Sequence, residues 1–338
     1  MRPLNKTLKL MTWFLCSILL LSWMIGSFQG KAQQQEYILR IGFISEIDSF
    51  SPLVGWTEPA WAFYGLVYDY LFSPDQDLNR RPNLARSVEP IDANMSTWRY
   101  HLAQNAKWHD GVPFTADDVI FTIKYYKTAE IWFYDPWVSL QGLDIITNVT
   151  KVDNHTVDVE FFHGNNASAI SQALDFPILP EHWWNTSNND LGRPIKPLEA
   201  QASYPNKYPV GTGGFIAAKY SGQPWQEWGI YDEWQKGETV TLYKNPDYHN
   251  GAPQIDGVQF VFYKDMSLMV EALKRGDIDV AWVSPDAYLA LQGVPGIGTN
   301  AGLFSTSYWV QVGINQNPAA TYLNPTRYDW FVRKALAH

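Results

Sequence analysis

The stretch from Val258 to Val283 constrains the fold most. Val258 to Tyr263 reads as a strand, Asp265 caps a helix with Leu268, Met269, Ala272 and Leu273 on its apolar side, and Gly276 stops it. Ile278 to Val283 then reads as a second strand. Strand, helix and strand at this spacing make a βαβ unit, whose helical crossover returns the chain to the same end of the sheet, so the strands run parallel. The class is therefore α/β, and a second α/β layer is expected from Lys264.

No covalent staple assists such a fold. Arg2, Lys6 and Lys9 precede a charge-free apolar run from Leu10 to Ile25, followed by small and polar residues to Ala32. That order predicts an export signal over residues 1–32, either cleaved after Ala32 or retained as an N-terminal anchor. The run is shorter than the roughly 20 residues of a spanning helix. Cys16, the one cysteine, lies inside it behind Phe14 and Leu15, without the small residues that precede a lipidated cysteine. Beyond the signal neither a disulfide nor a thiolate metal site can form. Stability must come from packing, and a chain with 46% hydrophobic and 15% aromatic residues has the surface for it. The remaining length suits two domains. A net charge of −9, with no basic cluster beyond Arg80 and Arg81, excludes nucleic acid as a partner. Asn94, Asn148, Asn154, Asn166 and Asn185 each begin an Asn-x-Ser/Thr sequon, which would mark exposed loops of an exported, glycosylated protein.

Along the chain, Tyr37 to Ile44 reads as a strand that ends in a turn-forming stretch, Ser45 to Pro52, where a ligand-facing loop can start. Thr57, Glu58 and Pro59 announce a helix in which Trp61, Tyr64, Tyr68 and Leu71 recur at helical spacing, as core residues do. Trp98 to Leu102 alternates like a half-buried strand, His109-Asp110-Gly111 makes a turn, and Thr115 opens a helix with Asp117 and Asp118 in its first turn. Carboxylates there accept from free backbone N–H groups, a role that fits this pair better than acid–base catalysis. Residues 61–199 are expected to include a loop-rich subdomain. The glycines between Pro209 and Phe215 lack the lysine and the spacing of a phosphate loop and read as a tight turn before a strand. Asp75, Asp77 and Asn79 begin like a calcium loop, but Arg80 replaces the turn glycine, so a hairpin is expected. The helix from about Tyr328 ends at His338 without a cap, as in a C-terminally truncated chain.

These segments together resemble the family 5 extracellular solute-binding proteins. The most specific block runs from Trp98 through Trp108, His109, Asp110 and Gly111 to Asp118 and Phe121. Tyr208 to Phe215, Leu242 to Tyr248, Ala272 to Asp279, Ile178 to His182 and Val332 to Ala337 agree in the same order, while Gly214 stands where many members have proline. The resemblance implies a two-lobed periplasmic-binding-protein-like clamp of type II with an extra subdomain. The first lobe would span 36–263, and 264–338 would begin a second, incomplete lobe. It further implies capture of oligopeptides or dipeptides, or alternatively oligosaccharides, and delivery to an ABC permease driven by separate ATPase subunits.

Such a protein needs no cofactor and no catalytic residue. The sequence has no nucleophile elbow and no His-Glu-x-x-His. A secreted glycosidase, the rival reading, would need two carboxylates flanking a sugar, and no pair stands in a recognisable motif. His101, His109, His155, His163, His182 and His249 show no paired metal-ligand spacing. The ligand contacts expected at strand ends are Ser51 and Trp56 on the first lobe and Trp309, Gly313 and Asn315 on the second.

Overall fold

In the computed structural model, which describes residues 36–74, 79–129, 139–140, 143–162, 174, 176–187, 193–197, 209–217 and 239–299, the βαβ unit is present with a strand inserted in its middle. β1 (Ile38–Phe43) lies between β12 (Gly257–Phe262) and β13 (Val280–Ala281) and runs parallel to both. β11 (Val240–Lys244) and β10 (Phe215–Ile216) extend the sheet antiparallel beyond β12. The crossover helix α4 (Met266–Arg275) is capped as its sequence requires. Asp265 accepts the Leu268 amide at 2.9 Å, and Gly276 ends the helix at φ 76°, a conformation that costs glycine nothing. Arg40 fastens β13 to β1 with two guanidinium nitrogens on the Asp279 carboxylate at 2.9 and 3.0 Å.

Residues 264–283 therefore complete the first sheet, and the second lobe expected from Lys264 does not begin there. β13 hydrogen-bonds to β1, a pairing that hydrophobic periodicity cannot reveal. The chain divides after Val283. In the unit beginning at Ser284, Ser284 caps α5 (Pro285–Leu291) by accepting the Ala287 amide at 3.3 Å.

The aromatic spacing after Thr57 is core, as expected. In α1 (Glu58–Val67) the side chains of Phe63, Tyr64 and Val67 are buried with Phe43, Leu242 and Phe260 of the sheet. Each large side chain so buried contributes about 1.5–3 kcal/mol. Tyr68 and Leu71 are buried just beyond the helix. Thr57 does not cap α1 with its hydroxyl, which instead donates to Asp48 at 2.9 Å.

The region expected to be loop-rich holds a second sheet among the described residues. β4 (Ala85–Pro90), β5 (Thr97–Leu102), β9 (Thr156–Phe161) and β8 (Ile146–Asp153) pair antiparallel in that spatial order. β2 (Phe72–Pro74) and β3 (Arg80–Pro82) form the expected hairpin, and β6 (Ser139–Leu140) and β7 (Leu143–Asp144) a short ribbon. α2 (Ala116–Ala129) and the one-turn α3 (Glu181–Trp184) pack into a core with Tyr100, Trp108, Phe114, Val157, Trp183 and Trp184.

The two aspartates of α2 differ in a way their sequence position conceals. Asp117 is half exposed and pairs with Lys151 at 2.6 Å. Asp118 is buried: Oδ2 accepts the Thr115 amide at 2.9 Å and the Trp108 indole N–H at 3.3 Å, and Oδ1 accepts the Glu181 amide at 2.9 Å. It thus joins the start of α2 to the start of α3. An asparagine there turns an N–H toward an N–H donor whichever way its amide lies. Asp118→Asn is expected to cost about 1–3 kcal/mol, and Asp117→Asn at most about 1 kcal/mol. Urea unfolding of the two variants checks this; equal midpoints would refute the assignment.

Candidate functional site

Parallel α/β sheets bind ligands outside the carboxyl ends of their strands, where loops diverge. Three strands end at such an edge here. β1 delivers Phe43 and the loop to Thr57, β12 ends at Phe262, and β13 leads directly into Trp282. Phe43 is buried and holds the edge together, its ring 5.1 Å from Phe260, 6.4 Å from Phe262 and 5.6 Å from Trp282. Trp282 is 44% exposed and Ile44 48%, so an aromatic and aliphatic surface stands open at the strand ends.

The loop after β1 is ordered by one carboxylate. Asp48 accepts the amides of Trp56 and Thr57 at 2.7 and 3.3 Å, which closes the loop on the N-terminus of α1. Tyr64 reaches up from α1 with its hydroxyl 2.7 Å from the Ser49 carbonyl and 2.8 Å from that of Ser51. Ser51 is buried, its Oγ accepting the Leu53 amide at 3.4 Å, so its hydroxyl shapes the loop. Trp56, on the same loop, is 44% exposed. Trp309, Gly313 and Asn315 lie outside the described residues. Trp282 is not among the contacts expected from sequence, although it falls near the end of the strand expected over Ile278 to Val283; in the structure that strand ends at Ala281 and leaves Trp282 at the edge.

The titratable clusters elsewhere are internal braces. Asp69, 5% exposed, accepts from Asn83, Tyr248, Thr212 and His249 at 3.0 to 3.1 Å. Nδ1 of His249 faces the Arg86 guanidinium at 3.1 Å. A carboxylate, an imidazole and a guanidinium in series offer no nucleophile, because the place of an attacking hydroxyl is taken by a cation. The glycine turn is likewise consumed by structure. Gly213 donates to the Val67 carbonyl at 2.9 Å, and a Cβ on Gly211 would lie 1.8 Å from that oxygen, which only glycine permits.

His109 locks this turn from the other side. Its Nδ1 accepts the Gly211 amide at 3.3 Å and its Nε2 donates to the Gly213 carbonyl at 3.0 Å; the first contact needs the lone pair of the neutral ring, so the two together require the neutral tautomer protonated at Nε2. Burial pushes its pKa down to about 4. The unfolded value is near 6.5, so between the two the folded state binds fewer protons; the stabilisation is full above pH 6.5 and lost toward pH 4. Asp118 acts in the opposite sense below about pH 6, because burial raises its pKa to about 6. A variant comparison isolates the histidine: the Tm advantage of wild type over His109→Gln is expected to shrink from pH 7 to pH 4.5. An advantage independent of pH would show that the neutral ring is not what holds the turn.

Two open recesses lie on the second layer, one of about 440 Å³ along α2 and one of about 540 Å³ beside His101 and His155, and neither reaches the strand ends. Among the described residues no three His, Cys, Asp or Glu side chains gather as a metal site, and no helix is long and apolar enough to cross a membrane. The predicted signal segment lies outside those residues.

The model of bacterial extracellular solute-binding proteins, family 5, matches residues 79–338. The chain belongs to this family. This family 5 protein is 28% identical over 259 residues to the oligopeptide-binding protein AppA of Bacillus subtilis, covering 74% of its own length and 41% of AppA. It thus spans about two fifths of that relative. Its fold is similar to the solved structure of B. subtilis AppA in complex with a nonapeptide, at TM-score 0.61 and 24% identity, over 78% of this chain and 47% of AppA. It is also similar to NikZ of Campylobacter jejuni in complex with Ni(L-His), at TM-score 0.59 and 24% identity, over 76% and 45% of the chains. The ABC transporter substrate-binding protein CtaP of Listeria monocytogenes matches at TM-score 0.60 and 25% identity, over 76% and 46%. The fold class is accordingly that of the two-lobed α/β binding-protein clamp.

Proposed function

We propose that the chain is the extracytoplasmic substrate-binding component of an ABC importer, which captures oligopeptides or dipeptides and hands them to a membrane permease without chemically altering them. The observation that carries this reading is the open surface at the carboxyl ends of β1, β12 and β13, where Trp282 and Ile44 stand exposed over a rigid aromatic base. Trp56 extends from the loop that leaves β1. A pre-ordered apolar surface of this kind binds without paying to order itself, and backbone groups of a peptide find partners along loops and strand ends. Closure of a clamp is favoured only by what the ligand gains in the closed state. The likeness to peptide-binding relatives supports the ligand class.

Oligosaccharides are the second reading, favoured by the two exposed indoles, since flat rings stack on sugar faces as well as on peptide side chains. Calorimetric titration of the protein, purified as its native cells make it, with dipeptides, oligopeptides and cello-oligosaccharides decides. Saturable heat with peptides is expected. Binding of sugars alone would overturn the peptide reading, and hydrolysis of any ligand would overturn the claim that nothing is catalysed.

A further inference from the structure

Four of the sequons fall on described residues, at Asn94, Asn148, Asn154 and Asn185, and all four asparagines are exposed. Their side chains are not equivalent. The Asn185 amide donates to Glu181 at 3.2 Å and that of Asn148 lies 3.5 Å from the Thr150 hydroxyl. The side-chain amides of Asn94 and Asn154 have no partner among the described residues.

These two sit at the tips of the two hairpins of the antiparallel sheet, β4–β5 and β8–β9. Their backbones are nevertheless held. Asp92 accepts the amides of Asn94 and Ser96 at 2.8 and 3.2 Å, and the Asn154 carbonyl accepts the Ala116 amide at 2.8 Å. Fixed backbones with outward, unpartnered amides can carry a bulky hydrophilic group without losing a single native hydrogen bond. β5 and β9 are antiparallel neighbours, with Thr97 opposite Glu160 and His101 opposite Thr156, so the two tips lie at opposite ends of the sheet. Between them run the inner strands β5 and β9, while β8, the edge strand beside the Asn154 tip, leaves Thr150, Lys151 and Val152 exposed. A glycan on Asn154 would help to shield this edge from pairing with another chain, and one on Asn94 would stand at the opposite edge, beside β4.

We propose that Asn94 and Asn154 are N-glycosylated, which rests on the export reading above. In the transfer, Nδ2 attacks the anomeric carbon of an oligosaccharide carried on a polyprenyl phosphate or pyrophosphate. The C–N bond forms, the anomeric C–O bond breaks, the lipid phosphate leaves with the electron pair, and one amide proton passes to base. Thr156, the third residue of the Asn154 sequon, is buried in β9, so that transfer must precede closure of its hairpin.

The test is mass spectrometry of the native protein from separated exported and cytosolic fractions, alongside Asn94→Gln and Asn154→Gln variants. Hexose-containing adducts are expected on the peptides bearing Asn94 and Asn154, and each variant should lose the mass of one glycan at nearly unchanged Tm. Unmodified Asn94 and Asn154 in exported protein would overturn the glycosylation while leaving export intact. Protein confined to the cytosol would overturn the export reading, and glycosylation with it.

Discussion

Asp69→Ala is expected to destabilise the protein by about 3–5 kcal/mol, because each buried donor left without its acceptor costs about 1–3 kcal/mol. Four donors lose their acceptor together: the Asn83 amide, the Tyr248 and Thr212 hydroxyls and the His249 ring. They come from different parts of the chain, Asn83 beside the antiparallel sheet, Thr212 in the glycine turn, and Tyr248 and His249 in the turn before β12. The loss is therefore felt in all three segments at once, because the one carboxylate ties them together. In a unit of this size each kcal/mol moves Tm by about 2–4 °C, so a fall near 10 °C is expected. Asp158, paired with Arg99 at 2.8 Å on the more exposed sheet, is the control, with an expected loss of at most about 1 kcal/mol on change to alanine. Scanning calorimetry checks both; an Asp69→Ala protein melting within 2 °C of wild type would mean that water replaces the carboxylate and the brace is dispensable.

Trp282→Ala is expected to weaken ligand binding at least tenfold, because exposed aromatics on a rigid base are the side chains whose truncation costs about 1.4–3 kcal/mol of affinity. Part of the ring is already spent on the fold, since Trp282 packs 5.6 Å from the Phe43 centroid. Trp282→Phe separates the two roles by keeping a ring over Phe43 and a flat face toward the ligand. Phenylalanine should retain most of the affinity while alanine does not, with Tm falling by a few degrees at most in either. If both variants bind as wild type does, the strand-end surface is not a ligand contact, and Trp56 should be probed next in the same way.

The His109-Asp110-Gly111 turn was readable as a turn, but not the reason for its composition. Asp110 accepts from His182 at 2.7 Å and His109 closes on the glycine turn about a hundred residues later, contacts between segments that no local pattern announces. Asp118 was readable as a first-turn carboxylate and not as a buried junction, because burial depends on where Trp108 and α3 come to rest. Ser51 and Trp56 lie a few residues apart on one loop, and only the packing of Tyr64 beneath it turns one inward and leaves the other exposed.

The α/β class, the caps of α4, the aromatic core face of α1, the structural nature of the glycine turn and the family were all legible along the chain. All of these depend on short-range periodicity, capping chemistry or ordered motifs, which are written along the chain. Tertiary structure alone decided that β1 slots between the strands of the βαβ unit, so that residues to Val283 complete the first sheet, and that Trp282 arrives at the strand-end edge beside Phe43. Sheet order and strand-end proximity are contacts between residues more than 200 positions apart, and periodicity within a strand carries no information about which strand will lie beside it.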